Sequence, residues 1–417
     1  MDGPLFDRNA FDQVVAEVRP LSEAFVAAGH RVYLVGGIVR DLMAGRQRSA
    51  PDIDLTTDAT PDEIERVLAG RTDALWKQGA RFGTIGCRIG NRVFEITTHR
   101  SEAYLSESRK PIVTFSRRIE DDLSRRDFTV NAMAMSLPGG ALIDPFDGRR
   151  DLDARILRTP LAPAVSLSDD PLRMMRAARF VAGYALVPEV ETEAAIGALR
   201  DRLAIVSRER IRDELDKLLS VPDPVPGFVL LRRTELLGEF IPELAAVDDA
   251  SFELLRAVDG LDRRRVALFL PIANRVAVMA RVRALKYSAH EIHSVAAVLK
   301  TVDSLRVLER VDAPAVRRLI RAAGPALDDA LVLVAAMHGP QATDVHALID
   351  QLATREDLTT FEPELDGDEV QRVLGVGEGR VVGDALGFLL DLRLDEGIVG
   401  PDEARRRLLQ WWTDRDT

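Results

Sequence analysis

Residues 34–41 read Leu34-Val35-Gly36-Gly37-Ile38-Val39-Arg40-Asp41, and residues 52–55 read Asp52-Ile53-Asp54-Leu55. In the first stretch an apolar strand runs into two glycines and then a helix. Glycines at such a turn let backbone N–H groups approach an anion, and a helix start favours negative charge. Arg40, one turn into that helix, is placed for a bidentate phosphate contact. The pattern is neither GxxxxGK(S/T) nor GxGxxG, so the P-loop and Rossmann readings fail. In the second stretch strand alternation puts Asp52 and Asp54 on one face and Ile53 and Leu55 on the other. Two neighbouring carboxylates repel, and each tends to hold a proton unless a cation lies between them. Hard oxygen donors of this kind suit Mg2+, which keeps several waters and also takes phosphate oxygens. The two stretches together describe a phosphate cradle, with Gly36, Gly37 and Arg40, facing a catalytic metal-binding pair, Asp52 and Asp54.

The surrounding chain predicts an α+β protein. Short β-branched runs at 31–37, 52–57, 83–90, 92–99 and 141–146 alternate with helical stretches at 11–29, 37–45, 61–69 and 121–135, the texture of a small mixed sheet carrying helices. From about residue 150 onward strand signals almost vanish, and Ala, Leu, Arg and Glu recur at helical spacing. The length, 417 residues, calls for more than one core, and 46% apolar with 29% charged residues is the profile of a globular chain. A net charge of −11 argues against broad non-specific binding to nucleic acid or an anionic membrane. The single cysteine, Cys87, rules out an intrachain disulfide and a thiolate zinc cluster. The polar N-terminus is unlike a signal peptide, and no apolar run reaches membrane-spanning length, so a cytoplasmic protein without a membrane partner is expected.

Further motifs follow in order: Arg125-Arg126-Asp127-Phe128-Thr129-Val130-Asn131-Ala132, Asp144-Pro145-Phe146-Asp147-Gly148, Asp169-Asp170-Pro171-Leu172-Arg173-Met174-Met175-Arg176, and Ser207-Arg208-Glu209-Arg210-Ile211. With the two opening stretches they resemble the class II nucleotidyltransferases, the family of tRNA CCA-adding enzymes and bacterial poly(A) polymerases. Residues 31 to about 219 carry the dense part of the likeness, and the tail from 365 to 397 carries a weaker one toward the CCA-adding enzymes. The resemblance implies a polymerase-beta-like catalytic head over 1–147, an all-α neck that selects the nucleotide over 148–245, an all-α body over 246–357 and an all-α tRNA-binding tail over 358–417. It implies CCA addition from CTP and ATP to tRNA. Poly(A) polymerase or partial CC-only or A-only activity is the alternative, and an inactive RNA-binding module is a further one.

On that resemblance Arg126 and Asp127 contact the triphosphate and ribose, with Asn131 on the same helix face. Glu95, in the strand Phe94-Glu95-Ile96-Thr97, is the candidate for a third catalytic acid near the metals; a satisfied strand carboxylate is the other reading. Asp170 and Arg173, spaced i, i+3, are expected on one helix face, where an acceptor beside a donor matches the edges of cytosine and adenine and rejects those of guanine and uracil. Arg176 and Arg179 continue the row as phosphate ligands. The segment from Tyr104 to Phe115 reads as a mobile loop that affects which nucleotide enters last. The chain has Asp169 where the family commonly has Glu.

Many relatives carry a His-Asp phosphohydrolase region after the neck. None of the six histidines here is followed by Asp, and His290 and His293 lack a surrounding carboxylate cluster, so no metal site is expected there. Arg200, Arg202, Arg208, Arg210 and Arg212 in the neck, and Arg405, Arg406 and Arg407 in the tail, are the candidate tRNA-backbone contacts. Trp411 and Trp412 are expected to anchor the tail helix.

Overall fold

The computed structural model describes residues 8–46, 53–77, 79–103 and 112–415, and the chain divides into two compact units, 1–249 and 250–417. The first unit opens with α1 (Arg8–Ala27), β1 (Val32–Val35), α2 (Gly37–Met43), β2 (Ile53–Thr57), α3 (Pro61–Leu68), β3 (Ala74–Trp76), β4 (Thr84–Ile89) and β5 (Arg92–Thr98). It continues with β6 (Arg100–Ala103), β7 (Ile112–Phe115), α4 (Ile119–Ser124), β8 (Ala134–Leu137), β9 (Leu142–Ile143), α5 (Gly148–Ala154) and β10 (Ile156–Leu157). After these come α6 (Pro163–Asp169), α7 (Leu172–Tyr184), β11 (Val187–Pro188), α8 (Val190–Ala198), α9 (Arg208–Leu219) and α10 (Val225–Arg233).

One mixed sheet of seven strands, in the order β3-β4-β5-β2-β1-β8-β9, organises the head. Only the β2–β5 pairing is parallel among its neighbours. The alternation along β2 and β5 is clean where it matters: Ile53, Leu55, Phe94 and Ile96 are buried, and Asp54 and Glu95 between them are exposed. The buried set packs toward α1 and α3. Helix α3 starts with Pro61 at its first position, where a missing N–H costs nothing, and Thr60 N donates to Glu63 Oε2 at 2.8 Å. Its Ile64, Val67 and Leu68 form the buried stripe. On the opposite face α4 covers only the β1–β8 end, through Ile119 and Leu123 against Tyr33, Val35 and Ala134.

The helix expected over 121–135 is corrected. The chain is helical only to Ser124, bends through Arg126 and Asp127, makes a single 3-10 turn at Thr129–Asn131 and enters β8, a strand the sequence reading missed. Tertiary partners replace the helix bonds. Thr129 N donates to Arg158 O at 2.8 Å and Thr129 Oγ1 to Asp151 Oδ2 at 2.7 Å. Gly148, opening α5, lets that turn approach; a Cβ there would lie 2.1 Å from Thr129 O. The expected loop from Tyr104 to Phe115 is corrected at its end, since Ile112–Phe115 is strand β7 paired antiparallel with β6, and residues 104–111 lie outside the described residues.

The second unit is helical: α11 (Glu253–Ala257), α12 (Leu261–Phe269), α13 (Arg275–Ala284), α14 (Ala289–Arg306), α15 (Ala313–Ala323), α16 (Ala326–Ala336), α17 (Pro340–Ala353), α18 (Gly367–Leu374), α19 (Arg380–Glu396) and α20 (Pro401–Arg415). The last three share a core of Leu365, Val370, Ala385, Leu389, Ala404 and Leu408. Trp411 stacks on Phe388, ring centroids 5.4 Å apart, and Trp412 leans on Trp411 at 6.3 Å, which anchors α20 as expected. His290 and His293 are exposed at the start of α14, while Glu291 between them caps that helix through Ser288 N and pairs with Arg265 at 3.1 Å. Among the described residues no helix is long and apolar enough to cross a membrane.

Candidate active site

The turn after β1 places Gly36 at φ +73°, ψ −136°, a conformation that L side chains rarely adopt. A Cβ on Gly36 would stand 3.1 Å from Arg126 Nη1 and 3.7 Å from Asp54 Oδ2, so a backbone turn, a guanidinium and a carboxylate converge there. Gly36→Ala is therefore expected to cost about 1–3 kcal/mol in urea unfolding; unchanged stability would show that the turn relaxes. Gly37 begins α2 directly behind it.

Parallel pairing of β2 with β5 sets Asp54 level with Glu95, and both are exposed on the face that α4 leaves open. Adjacent strands lie about 4.8 Å apart, so the two carboxylates are neighbours. Glu95 makes no hydrogen bond or ion pair among the described residues. Asp52 lies outside the described residues. Among the described residues no group of three or more His, Cys, Asp and Glu is assembled to hold a metal. The described donors at the sheet are thus Asp54 and Glu95. Two neighbouring exposed carboxylates, beside a turn that admits no side chain, fit a hard divalent cation in contact with a phosphate.

Arg126 is held from behind. Its Nη2 donates to Asp122 Oδ2 at 3.1 Å, and Asp122 also takes Arg125 Nη2 at 2.6 Å. Burial pushes the Asp122 carboxyl up, but the two guanidiniums more than offset this and hold it at about 2. Arg126 Nε is buried without a hydrogen-bond partner among the described residues. A buried N–H of this kind is costly unless something accepts from it, which suits a residue that awaits an anion. Asp122 was not singled out by sequence, although its i, i+3 and i, i+4 spacing to Arg125 and Arg126 is legible there.

Several expected nucleotide ligands are joined to one another and to neighbouring groups. Arg40 is buried; Nε and Nη2 donate to Asp41 Oδ1 at 3.0 and 2.9 Å, Nη1 to Asn131 Oδ1 at 2.6 Å, and Nη2 also to the Tyr184 hydroxyl. Its guanidinium lies 4.1 Å from the Tyr184 ring centroid, so it ties α2 to α7. Asp127 Oδ1 accepts from Phe128 N and Asn131 Nδ2, each at 2.9 Å, and Oδ2 from Arg176 Nε at 2.7 Å. Burial raises the Asp127 carboxyl, but the charge of Arg176 and the bonds from Asn131 and Arg176 outweigh it and leave it well below the usual carboxylate range. Arg179 Nε donates to Glu214 Oε2 at 2.8 Å, and Arg176 Nη1 stands 3.7 Å from Glu214 Oε1. Asp127, Asn131, Arg176 and Arg179 thus form one polar network from the 3-10 turn through α7 to Glu214 on α9. Glu214 and Tyr184 escaped the sequence reading because their partners lie 35 and 144 residues away.

The selecting pair also departs from the expected single face. Asp170 ends α6 in extended backbone, and Arg173 lies in the first turn of α7 with its N–H bonded to Asp170 O at 2.9 Å. Asp170 is half-buried and weakly held, by Leu172 N and Arg210 Nη2 at 3.3 Å each. Arg173 is buried, with Nη1 on Ser166 Oγ at 2.6 Å and Nη2 on Arg125 O. It therefore links the neck to the residue beside Arg126. The tail arginines are engaged by their own helix: Arg405 by Asp402 at 2.8 Å, Arg406 by Glu403, and Arg407 by Glu403 at 2.9 Å. Arg200 pairs with Glu235 at 3.0 Å and Arg212 with Asp213 at 2.8 Å, so these clusters carry less net positive charge than a count of arginines suggests.

Residues 32–158 match the family model of the poly A polymerase head domain. Over these residues the head of the chain is similar to that domain. Residues 187–247 match a second model, described as a probable RNA- and SrmB-binding site of polymerase A. A CCA-adding enzyme of Geobacillus thermodenitrificans is 37% identical over 236 residues, 56% of this chain and 55% of that protein. One of Bacillus subtilis is 39% identical over 211 residues, 50% of this chain and 51% of that protein. The chain thus spans a little over half the length of these curated relatives. In structure it is similar to the Bacillus stearothermophilus CCA-adding enzyme in complex with CTP, with TM-score 0.79, 27% identity and 98% of each chain covered.

Proposed function

We propose that this protein is a nucleotidyltransferase that adds C, C and A to the 3′ end of tRNA from CTP and ATP, with release of pyrophosphate and without a nucleic-acid template. The observation that carries the reading is the Asp54–Glu95 pair, level in the sheet and exposed beside the Gly36 turn and Arg126. Phosphoryl transfer asks a protein for positioning and charge neutralisation more than for covalent help. The Gly36 turn admits a triphosphate close to the backbone, and Arg126, braced by Asp122, offers it a guanidinium. Asp54 and Glu95, with Asp52, would hold Mg2+, which when bound neutralises phosphate charge and makes a hydroxyl a better nucleophile. Arg173 and the Asp127–Arg176–Glu214 network keep the neck fixed against that centre, so the base is read at a constant distance from the phosphates. The likeness to CCA-adding enzymes, one of them bound to CTP, supports C and A as the bases added.

The deciding experiment incubates the purified chain with Mg2+ and tRNA transcripts ending before the first C, the second C or the A. CTP and ATP are supplied singly and together. Extension to a complete CCA end followed by a halt is the expected result. A long A tail, or addition of only CC or only A, moves the assignment to a poly(A) polymerase or a partial enzyme. No incorporation with tRNA still bound leaves an RNA-binding module.

Base selection is tested on Asp170, because exchanging Arg173 would also break its bonds to Ser166 and Arg125. Asp170→Asn adds an N–H donor where the carboxylate only accepts, which suits the carbonyl edge of uracil and guanine. UTP rejection in single-nucleotide incorporation is expected to fall about 5- to 100-fold. Unaltered selectivity would place the reading elsewhere.

A further inference from the structure

Four residues stand in one row across the sheet: Trp76 in β3 opposite Gly86 in β4, Gly86 opposite Glu95 in β5, and Glu95 level with Asp54 in β2. Register partners share a face, so the Trp76 side chain emerges on the face of the two carboxylates. Gly86 is what lets it turn inward. A Cβ there would fall 1.9 Å from the indole Nε1, 2.3 Å from Cε2 and 2.7 Å from Cδ1, so the pyrrole ring lies across the bare glycine. Gly86 is buried beneath it, while Trp76 itself stays half-buried. The chain has three tryptophans. Trp411 and Trp412 lie at the tail core, as expected for them; among the described residues Trp76 belongs neither to that core nor to the cluster under α4, and it stands in the row of Glu95 and Asp54.

The order of groups along the sheet gives that ring a use. The Gly36 turn and Arg126 lie on the β1 side of Asp54; Glu95 and then Trp76 lie on the other side. Phosphoryl transfer is close to in-line, with the attacking hydroxyl and the departing pyrophosphate on opposite sides of the phosphorus. A triphosphate seated at Gly36 and Arg126 therefore leaves the acceptor hydroxyl to arrive over Glu95. The base attached to that acceptor ribose then falls one to two strand spacings further on, about 5–10 Å, which is over Gly86 and β3. An indole lies there. Stacking serves an acceptor that changes its last base at every cycle, since every base has a π-face.

Resting on the proposed transfer reaction, we infer that Trp76 is the stacking platform for the terminal base of the RNA acceptor, with Gly86 as the seat that holds the ring flat beside Glu95. Its role is binding and placement of the acceptor, separate from binding of CTP or ATP.

Steady-state CMP incorporation into a tRNA transcript lacking CCA, with RNA and CTP varied in turn, tests this on the full chain. Trp76→Leu is expected to raise the KM for RNA about 5- to 150-fold, the range of one lost base stack, and to leave the KM for CTP unchanged. Trp76→Phe restores most of the loss. An unchanged KM for RNA, or an equal rise in both constants, overturns the inference, because an indole that only shields Gly86 leaves the acceptor untouched. A second measurement does not depend on turnover or on the folding of the Leu variant. In a Trp411→Phe/Trp412→Phe background Trp76 is the sole tryptophan, and its fluorescence is expected to be quenched by a single-stranded ACC trinucleotide. Absence of quenching at saturating trinucleotide overturns the platform. Quenching without any nucleotide incorporation would instead retain the platform and reject the proposed reaction.

Discussion

Asp54→Ala is expected to lower nucleotide incorporation by about 10³-fold or more while leaving the affinity for tRNA within about twofold. The carboxylate stands level with Glu95, and its Oδ2 approaches the Gly36 turn, so it faces the point where phosphate charge must be neutralised. A metal-bridged phosphoryl oxygen is worth several kcal/mol of transition-state stabilisation, and each 1.36 kcal/mol is tenfold in rate. The side chain is exposed, and Ile53 and Leu55 beside it carry the burial. Single-turnover incorporation paired with filter binding separates the two effects. Retained activity would remove the metal assignment, and a matching loss of tRNA binding would show that Asp54 shapes the RNA surface.

The largest expected effect on stability belongs to Asp127→Asn. The carboxylate accepts from Phe128 N, Asn131 and Arg176, and it neutralises a guanidinium that also pairs with Glu214. An amide keeps one acceptor, carries no charge and turns a donor toward other donors. Breaking a buried ion pair from one side costs about 3–5 kcal/mol, because the remaining charge stays desolvated. Urea unfolding reads this directly, and a change below about 1 kcal/mol would show that the network is slack. The acid limb gives an independent check. Asp122 and Asp127 both have folded-state values below their ordinary one, so the unfolded chain binds more protons than the folded chain in that range. Their contribution is complete above about pH 4 and is lost as the pH falls through the folded values, about 2 for Asp122. The wild-type urea midpoint is therefore expected to fall steeply between pH 4 and 2, and that of Asp127→Asn less steeply. Parallel slopes would assign the acid sensitivity to other carboxylates.

Much of the site was legible because its signals are local. Strand alternation set Asp54 apart from Ile53 and Leu55, and the two glycines marked the turn that Gly36 makes with its positive φ. Glu95 was legible as an exposed strand residue, but its level with Asp54 was not, since that depends on a parallel pairing 41 residues apart. The helix expected over 121–135 shows the opposite case. Its composition favours a helix, yet Thr129 and Asn131 find partners in Asp151, Arg158 and Arg40, and these outweigh propensity. For the same reason the sequence does not show that Arg40, Asp127 and Asn131 also hold one another and Arg176.

The sequence by itself determined the α+β head, the helical remainder, the glycine turn and the acidic strand, because each rests on spacing within a few residues. Only the tertiary structure decided which charged groups face solvent and which are consumed in holding the parts together. An arginine and a carboxylate read the same in a sequence whether they meet a substrate or each other. The difference arises from burial and from partners brought in across 35 to 144 residues: Arg176 to Asp127, Arg179 to Glu214, Arg40 to Tyr184. Trp76 was silent for a related reason, since its place beside Glu95 comes from two strand pairings and one missing side chain at Gly86.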